Sequence, residues 1–121
     1  MTNIYKDAKE FAITSIKPYA KDADDKGEFP EFIFERIKDA GYLDLLIPKE
    51  FGGKGLTLVE HEAVCRAFSE YSASVGLCYM MHNVGLVTVL DHGSDALKKE
   101  ICNEVVYNKK MLALAYSESG T

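Results

Sequence analysis

ASVGLCYMMHNVGLVTVL, residues 73–90, is apolar on nearly every side of a helical projection. A helix without a polar side is enclosed by its neighbours, so this stretch predicts the central helix of an all-α fold. Gly93 follows as a stop, and Ser94 with Asp95 can cap a further helix whose inner face is Leu97, Ile101, Val105 and Val106. Toward the N-terminus, Thr57-x-x-Glu60 has the spacing of a capping box. The helix it opens carries Leu58, His61, Val64, Cys65, Phe68 and Tyr71 as a stripe spaced by threes and fours.

The N-terminal half continues the helical period. Ile4, Ala8, Phe11, Ala12, Ser15, Ile16 and Tyr19 mark one face, and Pro18 predicts a kink or break followed by another turn. Residues 22–28 read as a polar connector. Pro30 suits the first turn of a second helix lined by Phe29, Ile33, Ile37 and Ala40, and Gly41 suits a left-handed stop. Pro48-Lys49-Glu50-Phe51-Gly52-Gly53-Lys54-Gly55 is the clearest loop. After a turn at residues 108–110, residues 111–117 (MLALAYS) read as a buried extended segment. The expected fold class is therefore all-α: an orthogonal bundle of about five helices with a short terminal extended segment.

With 14 basic and 19 acidic residues the net charge is −5, which argues against a groove that neutralises nucleic-acid phosphates. Hydrophobic residues at 47% and charged residues at 27% are those of a folded globular chain. No run reaches the about 18 uninterrupted apolar residues of a bilayer span, and residues 1–10 mix Lys, Asp and Glu where a signal peptide is apolar. No membrane insertion is expected, and a cytoplasmic location is. Cys65, Cys78 and Cys102 are odd in number and widely spaced, supporting neither disulfides nor a thiolate metal site.

Three motifs invite stronger readings. Residues 22–27 (DADDKG) open like a calcium loop, but Lys26 holds its fifth position and Ile33 its twelfth. His61-Glu62-Ala63-Val64-Cys65 departs from the zinc-protease HExxH at its last residue. Gly52-Gly53-Lys54-Gly55 lacks the spacing and hydroxyl of a phosphate loop and reads as a tight turn. His82, beside Asn83 in the most apolar helix, is either a hydrogen-bonded core or subunit-contact histidine or a ligand-facing one. Met80-Met81 fits a core gap or an apolar pocket equally well.

Ile16-Lys17-Pro18-Tyr19-Ala20, Gly27-Glu28-Phe29-Pro30, Ala40-Gly41-Tyr42-Leu43, the loop Ile47 to Gly55 and the terminal Ala115-Tyr116-Ser117-Glu118-Ser119-Gly120-Thr121 occur here in one order. Together they resemble the N-terminal helical domain of the acyl-CoA dehydrogenase family. The loop is similar to the family's Pro-x-Glu-Tyr/Phe-Gly-Gly-x-Gly, and the terminus to the start of its Thr-Glu-Pro-Gly-Ala-Gly-Ser segment.

The resemblance implies residues 1–110 as the helical domain and residues 111–121 as the first strand of a truncated middle β-domain. The chain would be a fragment or domain of a longer protein. It further implies an intact parent that binds FAD and removes an α-proton with a Glu while hydride leaves the acyl-CoA β-carbon for the flavin. Such a parent passes electrons to an acceptor and assembles as a dimer or tetramer. The base lies in the C-terminal part, so no catalytic residue is expected here and the chain alone is expected to be inactive, with FAD binding weak or absent. Leu114, Tyr116 and Ser117 are the implied flavin contacts, and Leu77, Met80, Met81 and Val84 the implied acyl-pocket residues. Ser119 replaces the usual Pro and Thr121 a small Ala, which leaves open a flavin-dependent monooxygenase of the same fold. A non-catalytic helical interaction module is the alternative outside enzymes.

Overall fold

Helix starts in this chain are set by side chains that accept from free backbone N–H groups, and the computed structural model, which describes residues 3–115 and 117–120, uses four of them. Asn3 caps α1 (Ile4–Ser15), Thr57 caps α4 (Leu58–Ser69), Ser72 caps α5 (Ala73–His92) and Ser94 caps α6 (Asp95–Val106). At Thr57 the box is reciprocal: its hydroxyl accepts from Val59 N–H, and Glu60 accepts from the Thr57 backbone N–H at 2.8 Å.

Pro18 breaks the first helix cleanly instead of bending it. Ile16 ends α1 and starts α2 (Lys17–Lys26), with Pro18 in the first turn, where no helical N–H is needed. The expected connector at residues 22–26 is thus helical, held by Lys21–Asp25 and Lys26–Asp22 ion pairs at 2.7 and 3.0 Å. Those aspartates lie along a helix, so they form no calcium loop. Gly27 at φ 64° stops α2, and α3 (Glu31–Asp39) follows. The all-α class holds, with six helices and no strand among the described residues.

An aromatic cluster joins the elements: Phe11 of α1, Tyr42 of the loop after α3, Phe68 of α4 and Tyr79 of α5 have successive ring centroids 5.1–5.6 Å apart. Around it are Ala8, Ala12, Ile16, Ile33, Phe34, Ile37, Leu45, Ile47, Val64, Leu86 and Val105, all buried. The predicted stripes are correct in phase but too long. Leu58 is 61% exposed, and Tyr19, Phe29 and Leu97 are also exposed, because each lies at or beyond a helix end; Tyr19 and Phe29 are covered on one side only, by Phe32 and Phe34 of α3.

The glycine loop folds back onto residues 44–48. Gly53, Lys54, Gly55 and Leu56 N–H groups donate to the carbonyls of Pro48, Asp44, Ile47 and Leu45 at 2.8–3.2 Å. Lys54 pairs with Asp44 at 2.6 Å and also donates to the Gly41 carbonyl. With its amides used internally the loop has no cradle to offer a phosphate.

Candidate functional site

Helix α5 is apolar all round, yet its neighbours cover one side only. Val75, Tyr79, His82 and Leu86, spaced by fours and threes, form the buried face. On the opposite face Leu77 is 56% exposed and Met80 and Val84 each 37%, with Met81 half-buried. The helix is therefore packed on one side and open on the other: it is one wall of the molecule. By length and composition it is also apolar enough to cross a bilayer, with mean hydropathy 1.4 over its most apolar window. Core helices pass the same test, and its midpoint makes the contacts of one.

That midpoint is His82, fully buried. Its Nε2 lies 2.8 Å from the carbonyl oxygen of Leu43, and its Nδ1 accepts from the Leu112 N–H at 3.0 Å. Burial holds the imidazole below its ordinary pKa, and the nearby His61 acts in the same direction. His82 is thus a hydrogen-bonded core histidine. Next to it, Tyr79 donates to the Tyr42 carbonyl at 2.7 Å, and burial pushes its hydroxyl far up.

The segment after α6 crosses the flank of α5. Lys109 takes a left-handed φ of 53°, Lys110 pairs with Glu104 at 2.8 Å, and Leu112 reaches His82. Met111 and Leu112 are half-buried, while Ala113, Leu114, Ala115 and Ser117 are exposed. The expected burial of residues 111–117 is therefore corrected, because only the first two side chains meet α5. Tyr116 lies outside the described residues.

Between α3, α5 and this segment runs an open groove of about 830 Å³. Leu77 and Met81 line it from α5, Phe34 from α3, and Met111 and Leu114 from the segment; Glu31, Glu35, Lys38, Lys109 and Lys110 border it. The structure so brings together Leu77, Met81 and Leu114. Met80, Val84 and Ser117 do not line the groove. Phe34 and Met111 were missed in the sequence. Phe34 had a signal in its i+3 relation to Ile37, whereas Met111 depends on how the chain turns after α6, which no local pattern encodes. The chemistry available is that of an apolar slot with a mixed-charge border, suited to an apolar chain.

Elsewhere His61 Nε2 lies 3.3 Å from Cys65 Sγ. Burial raises the Cys65 thiol to about 11 and lowers His61, so the pair is a neutral thiol and imidazole and lacks the thiolate that nucleophilic chemistry needs. No group of His, Cys, Asp and Glu suited to a metal occurs among the described residues.

A family model described as "Acyl-CoA dehydrogenase, N-terminal domain" matches residues 2–109. An uncharacterized protein of Haemophilus influenzae is 55% identical over 67 residues, 55% of this chain and 76% of that protein. The 3-(aryl)acrylate reductase of Clostridium sporogenes is 30% identical over 118 residues, 97% of this chain and 31% of the reductase. The mitochondrial isovaleryl-CoA dehydrogenase of Pongo abelii is 29% identical over 112 residues, 90% of this chain and 26% of that enzyme. The chain spans under a third of the length of these two enzymes. Among solved structures, a chain reported under "Electron transferring flavoprotein of Acidaminococcus fermentans" superposes with a TM-score of 0.79 at 19% identity, covering 89% of this chain and 29% of that one. At that identity the likeness is one of fold.

Proposed function

The chain belongs to the acyl-CoA dehydrogenase family as its N-terminal domain, and from that premise we propose that it supplies one wall of the acyl pocket and the first flavin contacts of an FAD-dependent acyl-CoA dehydrogenase. The observation that carries this reading is the open apolar face of α5 meeting the terminal segment in one groove. Leu77 and Met81 line that groove, and Met80 and Val84 extend the same apolar face beyond it. An unbranched thioether such as Met81 adapts to a flexible chain.

Residues 111–121 are proposed as the opening strand of a β-domain. The exposed backbone of residues 113–115 and the exposed Ser117 hydroxyl offer donors and acceptors that suit the polar edge of a flavin ring. Leu114 and Ser117, with Tyr116, would hold that ring. When bound, FAD supplies an electron sink for hydride from the acyl β-carbon. This chain's part is to keep the acyl chain dry and aligned, so that the α-proton meets a base supplied by the rest of the protein. A cytoplasmic homo-oligomer acting on acyl-CoA in fatty acid metabolism, with a separate electron acceptor, completes the proposal. The reductase relative favours a second reading, in which the same arrangement runs toward reduction of an α,β-unsaturated acyl group.

Grafting this chain in place of the matching 112 residues of the isovaleryl-CoA dehydrogenase tests both. The expected result is a yellow protein that bleaches on adding an acyl-CoA, and Leu77→Asp should raise KM for the acyl substrate with flavin retained. Bleaching by no saturated acyl-CoA, with reoxidation by an enoyl-CoA, would favour the reductive direction. A flavin-loaded graft that answers to neither would overturn the reading.

A further inference from the structure

The segment after α6 meets α5 where the chemistry of both contacts is fixed. The Leu112 N–H can only donate, and it lies 3.0 Å from His82 Nδ1. The Leu43 carbonyl can only accept, and it lies 2.8 Å from His82 Nε2. One protonation state serves both: the neutral ring with its hydrogen on Nε2. A second feature stands at the same place. A Cβ on Gly85, three residues along the helix, would lie 3.2 Å from both Cβ and Cδ2 of Leu112. The helix surface is thus cut away where the segment comes down onto the imidazole.

We propose that His82 is a positioning residue: strung between the loop carbonyl of Leu43 and the amide of Leu112, it fixes where the segment bearing Leu114 and Ser117 lies relative to Leu77 and Met81. The clamp stands on its own geometry; what it positions rests on the flavin and acyl roles proposed above. His82 is fully buried and its bond to Leu43 lies inside the core, while the bond from Leu112 is part-buried.

Protonation would undo half of the clamp. An imidazolium carries N–H on both nitrogens, so Nδ1–H would face the Leu112 N–H with no acceptor between them, while the bond to Leu43 survives. His61 of α4 opposes a second positive charge here. Other titratable groups on the elements around His82 are Tyr79 of α5, the Asp44–Lys54 pair beside Leu43 and the Lys110–Glu104 pair ahead of Leu112. Acid should therefore loosen the segment while the α1–α4 core stays closed.

Two substitutions separate the two bonds. His82→Asn offers a carbonyl oxygen near the position of Nδ1, and His82→Gln an amide N–H near that of Nε2. Backbone amide exchange on the 121-residue chain, corrected for intrinsic rates, is the readout. In His82→Gln the Leu112 amide should exchange about tenfold faster than in the parent, the loss of roughly one hydrogen bond, with amides of α1 and α4 unchanged. His82→Asn should restore most of that protection. In the unsubstituted chain, ring nitrogen shifts should report the Nε2–H tautomer at neutral pH, and Leu112 protection should fall as that ring titrates. An Nδ1–H tautomer, or Leu112 protection equal in His82→Gln and the parent, would overturn the proposal. The tautomer and pH measurements need no substitution, so they decide even where a variant fails to fold. Flavin is absent throughout, so the outcome is independent of the functional reading.

Discussion

Gly53 shows how one missing side chain allows a whole loop to close. A Cβ there would lie 2.2 Å from the Ile47 carbonyl oxygen and 2.4 Å from the Ile47 Cβ, and both belong to a buried residue bonded back to Gly55. Neither can swing aside, so Gly53→Ala must push the loop off the core. The expected cost is about 1–3 kcal/mol, the range of core overpacking, read as a lower urea midpoint. Gly27 is the control for backbone strain alone. It has φ 64° with nothing within 4 Å of a built Cβ, so Gly27→Ala should cost only the left-handed penalty of about 1–2 kcal/mol. A urea midpoint unchanged in Gly53→Ala would mean that close approach to Ile47 is not what the loop requires.

Helix starts and phases were legible at the scale of single elements, because capping and periodicity are local. The Thr57–Glu60 box reads directly from four letters, and Thr57→Ala should lower stability by about 1 kcal/mol with α4 fraying at its first turn in amide exchange. What was not legible is which part of a stripe another element covers. Leu58 and Leu97 have the right angle on their helices and are exposed all the same. For the same reason the apolarity of α5 on all sides does not say which sides are occupied in this chain. Of the candidate site, the α5 residues were legible by their shared face. Their meeting with Met111, Leu112 and Leu114 was not, because it runs through His82 across 30 residues of sequence. The two faces of α5 differ in a measurable way. Leu77→Asp on the open face should change stability by no more than about 0.5 kcal/mol. Val75→Asp puts a carboxylate without a partner into the core and should cost at least about 3 kcal/mol. Equal losses in urea unfolding would mean that the Leu77 face is covered in solution.

Two opposing demands act on the whole molecule: a closed core on one side of α5 and an open apolar face on the other. The core side predicts a pH dependence. His61 and His82 are held below the ordinary value near 6.5 by burial, so below that value the unfolded chain binds more protons than the folded one. Stability is then full above about pH 7 and falls as pH drops toward the folded-state values. Glu60 and Glu104 are lowered from 4.5 by their hydrogen-bond partners, so their contribution is lost only at still lower pH. A thermal midpoint unchanged between about pH 7.5 and about pH 5.5 would contradict the neutral burial of both histidines. The open side predicts that the chain alone neither retains FAD nor oxidises an acyl-CoA. Leu114 and Ser117 are exposed and could give two or three hydrogen bonds to a flavin ring, each worth about 0.5–1.5 kcal/mol. Association costs about 4–15 kcal/mol, so these bonds alone leave affinity at roughly millimolar or weaker. The dianionic pyrophosphate gains little at the groove, where Lys38 is paired with Glu35 at 3.2 Å and Lys110 with Glu104 at 2.8 Å. A visible spectrum after gel filtration in excess FAD measures this directly. A yellow protein, or dye reduction on adding acyl-CoA, would mean that this chain's own residues already form a more complete flavin site than the α5 groove and its terminal segment provide.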